Sequence, residues 1–196
     1  GSVSVIDATS LSEISRTVVT QLPFDDNVKQ GLKLFHSSDD TRMAKDQWIS
    51  CATCHFDGGS DNQTWHFPDG LRNTPSLITT SLTGPFHWSG NLDEVQDVEN
   101  TIRELQGGTG LAGGEDNCTP TCDGAEKNAG RSEALDNLTA FIATLRFGAE
   151  VRVASDAPSP EQRGEALFTS TELNCTQCHQ APLFTDNQNH SVNLVE

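Results

Sequence analysis

Apolar residues return at helical spacing in three places along the chain. Leu32 and Phe35 fall on one face of a segment that predicts a helix from about Val28 to Phe35. Val95, Val98, Ile102 and Leu105 follow at intervals of three, four and three, with Asp93 placed to cap the start and Gly107-Gly108 to end it. The clearest stripe opens at Ser132 and carries Leu135, Leu138, Phe141, Ile142 and Leu145, with Gly148 just beyond. Val3–Ile6 and Thr17–Val19 are β-rich and flank a polar, turn-like stretch. Polar residues and glycine dominate 58–70 and 107–130, which predicts long loops, and the two prolines and small polar residues of 150–160 predict a linker. No strand ladder is expected after Val19, so the expected fold is mostly α with long loops.

A repeat is superimposed on this pattern. Gly31-Leu32-Lys33-Leu34-Phe35 leads to Cys51-Ala52-Thr53-Cys54-His55, and Gly164-Glu165-Ala166-Leu167-Phe168 leads to Cys175-Thr176-Gln177-Cys178-His179. A further histidine stands eleven residues after each motif, at His66 and His190. Two units of one architecture are the simplest explanation. Cys-x-x-Cys-His is the attachment signature of haem c. One helical turn sets two thiols at the spacing of the vinyl groups, and the adjacent imidazole becomes the proximal iron ligand. A four-cysteine zinc site would need its halves roughly 15–20 residues apart, far closer than these motifs lie. A thioredoxin-like dithiol would need a βαβ pattern that is missing. The expectation is two covalent haems: a first domain over 23–149 and the start of a second over 161–196, joined by the 150–160 linker and preceded by a 1–22 arm.

Thioethers are made outside the cytoplasm in bacteria, so haem c implies export to the periplasm or beyond. The leftover Cys118 and Cys122 lack a following histidine and read as a disulfide across the Gly-rich loop, with reduced thiols as the alternative. The only methionine, Met43, precedes the first motif. Histidines are therefore the expected sixth ligands. His66 and His190 lead, with His87 and His36 as alternatives; His36 also suits a helix C-terminus. Trp48 and Trp65 read as haem-packing or core residues. Arg72 is suited to pair with a haem propionate.

Apolar residues make up only 34% of the 196 positions, below a usual share of about 45–50%, and a cofactor would add apolar bulk. Twelve basic against 28 acidic residues leave a net charge of −16. Nucleic acid and anionic membrane surfaces are excluded as partners on that balance. No apolar run approaches the length of a membrane span. The opening residues lack a signal-peptide pattern. The chain stops 17 residues after His179, which is expected of part of a longer protein.

The stretch from Ser50 to Gln96 resembles the N-terminal domain of bacterial di-haem cytochrome c peroxidases, a family that includes the enzyme maturing methylamine dehydrogenase. The matching pieces are Ser-Cys-Ala-Thr-Cys-His at 50–55, His66, Arg-Asn-Thr-Pro-Ser-Leu at 72–77, Pro-Phe-His-Trp-Ser-Gly at 85–90 and Glu-Val-Gln at 94–96. The resemblance covers roughly 28–185. It implies a peroxidatic first haem with His66 as distal ligand, calcium held partly by Asn73, Trp88 between the haems and Gln96 near the peroxide pocket. It places the catalytic acid at Glu104 or Glu99. Cys175, Cys178 and His179 would hold the haem that receives electrons, whose sixth ligand in the family is usually a distant methionine; here the missing remainder, His190 or a partner chain would supply it. The acidic surface would steer a small basic cytochrome or cupredoxin donor, and homo-oligomers or further domains are expected. Val3–Asp7 resembles the closing strand of a repeat-type β-propeller and reads equally well as a plain arm. Two functions follow: peroxide reduction by a di-haem enzyme, or electron transfer through two closed bis-histidine haems.

Overall fold

The computed structural model describes residues 1–67, 70–112, 127–147, 159–188 and 190. The β-rich arm forms an antiparallel hairpin of β1 (Ser2–Ile6) and β2 (Glu13–Val18), with Ser2 opposite Val18 and a bulge between Val5 and Ile6. Asp7 Oδ1 turns the chain by accepting the Thr9 and Ser10 amides at 2.8 Å each.

The core is a crossing of α1 (Asp26–His36) and α4 (Glu133–Ile142). Ser132 caps α4 by accepting the Leu135 amide, as its position predicts. Phe35, Met43, Ile102, Leu135, Leu138, Phe141 and Ile142 form the buried cluster. The Phe35 and Phe141 rings meet at 5.1 Å with a 58° tilt. Gly31 makes the crossing close: a Cβ there would lie within bonding range of the Asn137 carbonyl and 2.8 Å from Phe141 Cβ. Met43, the methionine before the first motif, is fully buried in this cluster. His36 ends α1, its Nδ1 donating to the Leu32 carbonyl at 2.9 Å.

The 95–105 stripe is helical, but it starts differently from the expectation. Glu94 rather than Asp93 is the capping residue of a 3-10 turn over Val95–Asp97, which continues as α3 (Val98–Glu104). Buried Asp97 explains this: its Oδ2 accepts the Asp93 and Glu94 amides at 3.0 and 3.2 Å, and its Oδ1 accepts from Asn128 Nδ2 at 2.9 Å. Glu99 is fully buried and clamps the following loop. It accepts from Arg103 Nε at 2.8 Å and from the Leu111 and Ala112 amides at 2.7 and 3.2 Å. Glu99→Ala should therefore destabilise the domain by about 3 kcal/mol, because a part-buried guanidinium and two amides lose one acceptor. Urea unfolding of the haem-loaded protein checks this, with an unchanged midpoint as the contrary result.

A second hairpin overturns the expectation of no strand ladder beyond Val19. β3 (Thr64–Phe67) pairs antiparallel with β4 (Gly70–Asn73), Trp65 facing Arg72 and His66 facing Leu71. Thr-Trp-His-Phe is an aromatic, β-prone run, but its polar and glycine-rich surroundings make the whole stretch resemble loop. Two hairpins beside short helices make the described architecture mixed rather than mostly α.

The second motif follows α5 (Pro160–Phe168), which opens with a Ser159–Gln162 capping box and Pro160 in its first turn. No residue of α5 is buried, and a Cβ added at Gly164 would meet nothing within 4 Å among the described residues. Phe168 rests against His179 and Phe184, with ring centroids 6.3 and 5.7 Å away. Cys118, Cys122 and most of the expected linker lie outside the described residues.

Candidate functional site

The first motif forms α2 (Cys51–Cys54), a single helical turn. The Ser50 amide donates to Thr53 Oγ1 at 3.1 Å, and the His55 amide closes the turn on the Cys51 carbonyl at 2.8 Å. Cys51 and Ala52 lean on the α1–α4 core. Gly58, at φ +77°, lies where a Cβ would come 2.9 Å from Leu145. Its carbonyl accepts the Leu77 amide at 2.8 Å, and the Leu145 carbonyl accepts the Thr79 amide at 2.9 Å. These bonds bring Pro75 beside the motif. His55 Nδ1 lies 3.0 Å from the Pro75 carbonyl, which can only accept. The proton is therefore on Nδ1, and Nε2 keeps its lone pair.

Burial lowers the basicity of His55, and a smaller opposing effect comes from its carbonyl bonds; His87 also depresses it through charge. The imidazole is thus held neutral, the form that binds a metal. Burial pushes the Cys51 thiol up to about 12. Cys54 is raised too, chiefly by burial and then by the negative charge of Asp61. Both sulfurs are protonated near neutrality, which slows their oxidation to a disulfide.

The second motif repeats the device. Cys175–Gln177 form a 3-10 turn entered through Asn174 at φ +55°. The His179 amide donates to the Cys175 carbonyl at 3.0 Å, and His179 Nδ1 donates to the Phe184 carbonyl at 2.9 Å. Each motif therefore offers a pair of thiols on one turn and an imidazole whose Nδ1 is tied to a backbone carbonyl. Around both, large apolar side chains are exposed: Trp48, Phe56 and Trp88 near the first, Leu167, Leu173 and Phe184 near the second. This donor set, fringed with uncovered apolar surface, fits covalently held haem.

The hairpin gathers four of the sequence-selected residues. Trp65 Nε1 donates to Asp61 Oδ2 at 3.0 Å and to Thr74 Oγ1 at 3.1 Å. His66 is the next residue on β3, exposed and without a hydrogen bond among the described residues. Arg72 Nη1 turns back to the Leu71 carbonyl at 2.9 Å. The Asn73 side chain is exposed, while its carbonyl accepts Trp88 Nε1 at 2.6 Å. Gln96 lies apart from this group, donating to Asp136 Oδ1 on α4 at 3.2 Å. Glu104 is exposed at the end of α3, and Glu99 is committed to its loop clamp. His87, at φ +65°, has Nε2 3.5 Å from Thr101 Oγ1.

In the second unit Cys178, Asp186 and His190 bring one ligand atom each within 4.8 Å of one another. His190 Nε2 lies 2.8 Å from Asp186 Oδ2, and that bond holds the Asp186 carboxyl below its usual range. Sequence reading missed Asp61 and Thr74, and with them the two carbonyl acceptors. An acidic residue four positions before a tryptophan was the available signal for Asp61. A backbone carbonyl carries no residue signature at all. No helix among the described residues is long and apolar enough to cross a membrane.

Residues 25–140 match a family model described as di-haem cytochrome c peroxidase. That span holds the first motif, the β3–β4 hairpin and most of α4; the β1–β2 hairpin and the second motif lie outside it. The methylamine utilization protein MauG of Methylorubrum extorquens is 26% identical over 186 residues, covering 79% of this chain and 50% of that protein. Cytochrome-c peroxidase IdrP2 of Denitromonas iodatirespirans is 24% identical over 196 residues, covering 87% of this chain and 52% of that one. The chain spans about half the length of the curated relatives it matches. A solved chain of Kuenenia stuttgartiensis hydrazine synthase shares the fold at a TM-score of 0.60 and 19% identity, over 87% of this chain and 55% of that one.

Proposed function

The chain belongs to the di-haem cytochrome c peroxidase family, and from that premise we propose that it is a haem c electron-transfer unit that reduces hydrogen peroxide. Cys51, Cys54 and His55 hold the first, peroxidatic haem; Cys175, Cys178 and His179 hold a second that receives electrons. One observation carries this reading: both motif histidines spend Nδ1 on a backbone carbonyl and keep Nε2 for iron. Bound haem supplies reversible one-electron chemistry and an iron centre open to peroxide.

The chain's own residues do the rest. His66 would be the distal ligand of the first haem, exposed on β3 with no side-chain hydrogen bond of its own among the described residues. His87, on the loop whose Trp88 donates to the Asn73 carbonyl, is the substitute. Glu104, exposed at the end of α3, serves proton transfer, and Gln96 and Trp88 line the path around it. Arg72 pairs with a propionate, Asn73 contributes to a calcium site and His190 closes the second haem. The acidic surface attracts a small basic cytochrome or a cupredoxin, and the protein works after export, in the periplasm or outside the cell.

The second reading, a closed bis-histidine module without catalysis, draws on the histidine eleven residues after each motif and on Gln96 being engaged by Asp136. Half-reduction of the haem-loaded protein separates them. The enzyme should show a high-spin haem that binds cyanide and turns over peroxide. Two inert low-spin haems would leave only the second reading. His66→Ala should convert the first haem to high spin in either case; an unchanged spectrum removes His66 and moves the test to His87→Ala.

A further inference from the structure

We infer that Asp61 and Thr74 are positioning residues for the distal side of the first haem, acting through the indole N–H of Trp65 to fix the strand that carries His66. The inference rests on His66 as distal ligand. Asp61 is itself joined to the motif, its amide donating to the Cys54 carbonyl at 2.9 Å. One of its carboxylate oxygens takes the Gln63 amide at 2.9 Å and the other takes Trp65 Nε1 at 3.0 Å. Thr74, 7% exposed, takes the same N–H at 3.1 Å from the far strand's end.

A single indole N–H shared between two acceptors thus ties the cysteine turn, β3 and the chain just beyond β4 together. Successive strand residues point to opposite faces. With Trp65 held down on one face, His66 is presented from the other, and it cannot turn without breaking the shared bond. The tie sits at the open end of the hairpin, where Thr64 pairs with Asn73, and Trp88 grips the Asn73 carbonyl from the next loop. Trp65 is 40% exposed, so packing alone does not fix it and the hydrogen bonds do the orienting.

The test uses the haem-loaded chain and reads cyanide binding at the first haem by stopped-flow absorbance, with the low-spin signal by electron paramagnetic resonance. Trp65→Phe keeps the ring and loses the N–H. Asp61→Ala removes one acceptor; Asp61→Asn restores an acceptor without the charge. Trp65→Phe and Asp61→Ala should speed cyanide binding about tenfold and broaden the low-spin signal. Asp61→Asn and Thr74→Ser should bind at the wild-type rate. If Trp65→Phe fails to accumulate as haem protein, the Asp61 pair carries the comparison alone. Wild-type rates in Trp65→Phe and Asp61→Ala, alongside a His66→Ala variant whose haem has opened, overturn the latch and leave the ligand assignment standing. A silent His66→Ala overturns the assignment, and this inference with it.

Discussion

Replacing Cys175 and Cys178 by Ala is expected to remove one haem and leave 159–190 an open target for protease, whereas the same change at Cys51 and Cys54 should remove one haem and leave its helices standing. The difference lies in what each unit buries without its cofactor. Around the first motif Phe35, Met43, Ile102, Leu135 and Leu138 are sealed against one another, and α2 merely leans on them. Each such side chain contributes about 1.5–3 kcal/mol on burial, so the crossing persists. α5 buries nothing, and Leu167, Leu173 and Phe184 stand more than half exposed. For that segment a bound prosthetic group would be the core, and ligand binding and folding would then be one event. Haem content by pyridine haemochrome and limited proteolysis read by intact mass provide the check. Equal resistance in the two double variants would refute the asymmetry.

The second large effect is expected from a single methyl group. Gly31→Ala should destabilise the first unit by about 3 kcal/mol, because the new Cβ meets the backbone of α4 rather than a movable side chain. The helices must part, and Phe35 and Phe141 lose their contact. Gly164 occupies the same place in the repeat and faces nothing among the described residues. There the same substitution should gain about 0.5–1 kcal/mol from helix propensity alone. Thermal unfolding of the pair of variants decides it: a loss at Gly31 beside a gain at Gly164 is expected, and shifts of like sign would overturn the contrast between the two glycines.

What the sequence made legible was whatever repeats or alternates. The stripe from Leu135 to Leu145 and its Ser132 cap, the Gly-x-x-Leu-Phe helices and the two haem motifs were all visible, because periodicity and spacing are properties of residue type. The 64–73 hairpin was hidden, since its aromatic strand is only four residues long and lies among glycines and polar residues that signal loop. Asp93 was a reasonable cap on composition, yet Asp97 captures the Asp93 and Glu94 amides and moves the helix start inward. Glu99 and Glu104 were interchangeable as candidate acids in the sequence. Burial separates them, because only Glu99 has amides brought to it from the loop twelve residues on.

The tether on each motif histidine has an evolutionary corollary. Pro75 and Phe184 act through their peptide oxygens, a group that all twenty amino acids possess. Point mutation at either position leaves the acceptor in place, so the orientation of both motif imidazoles is insulated from sequence drift so long as the backbone path is kept. A peptide oxygen is also a milder partner than the carboxylates that often back metal-bound histidines.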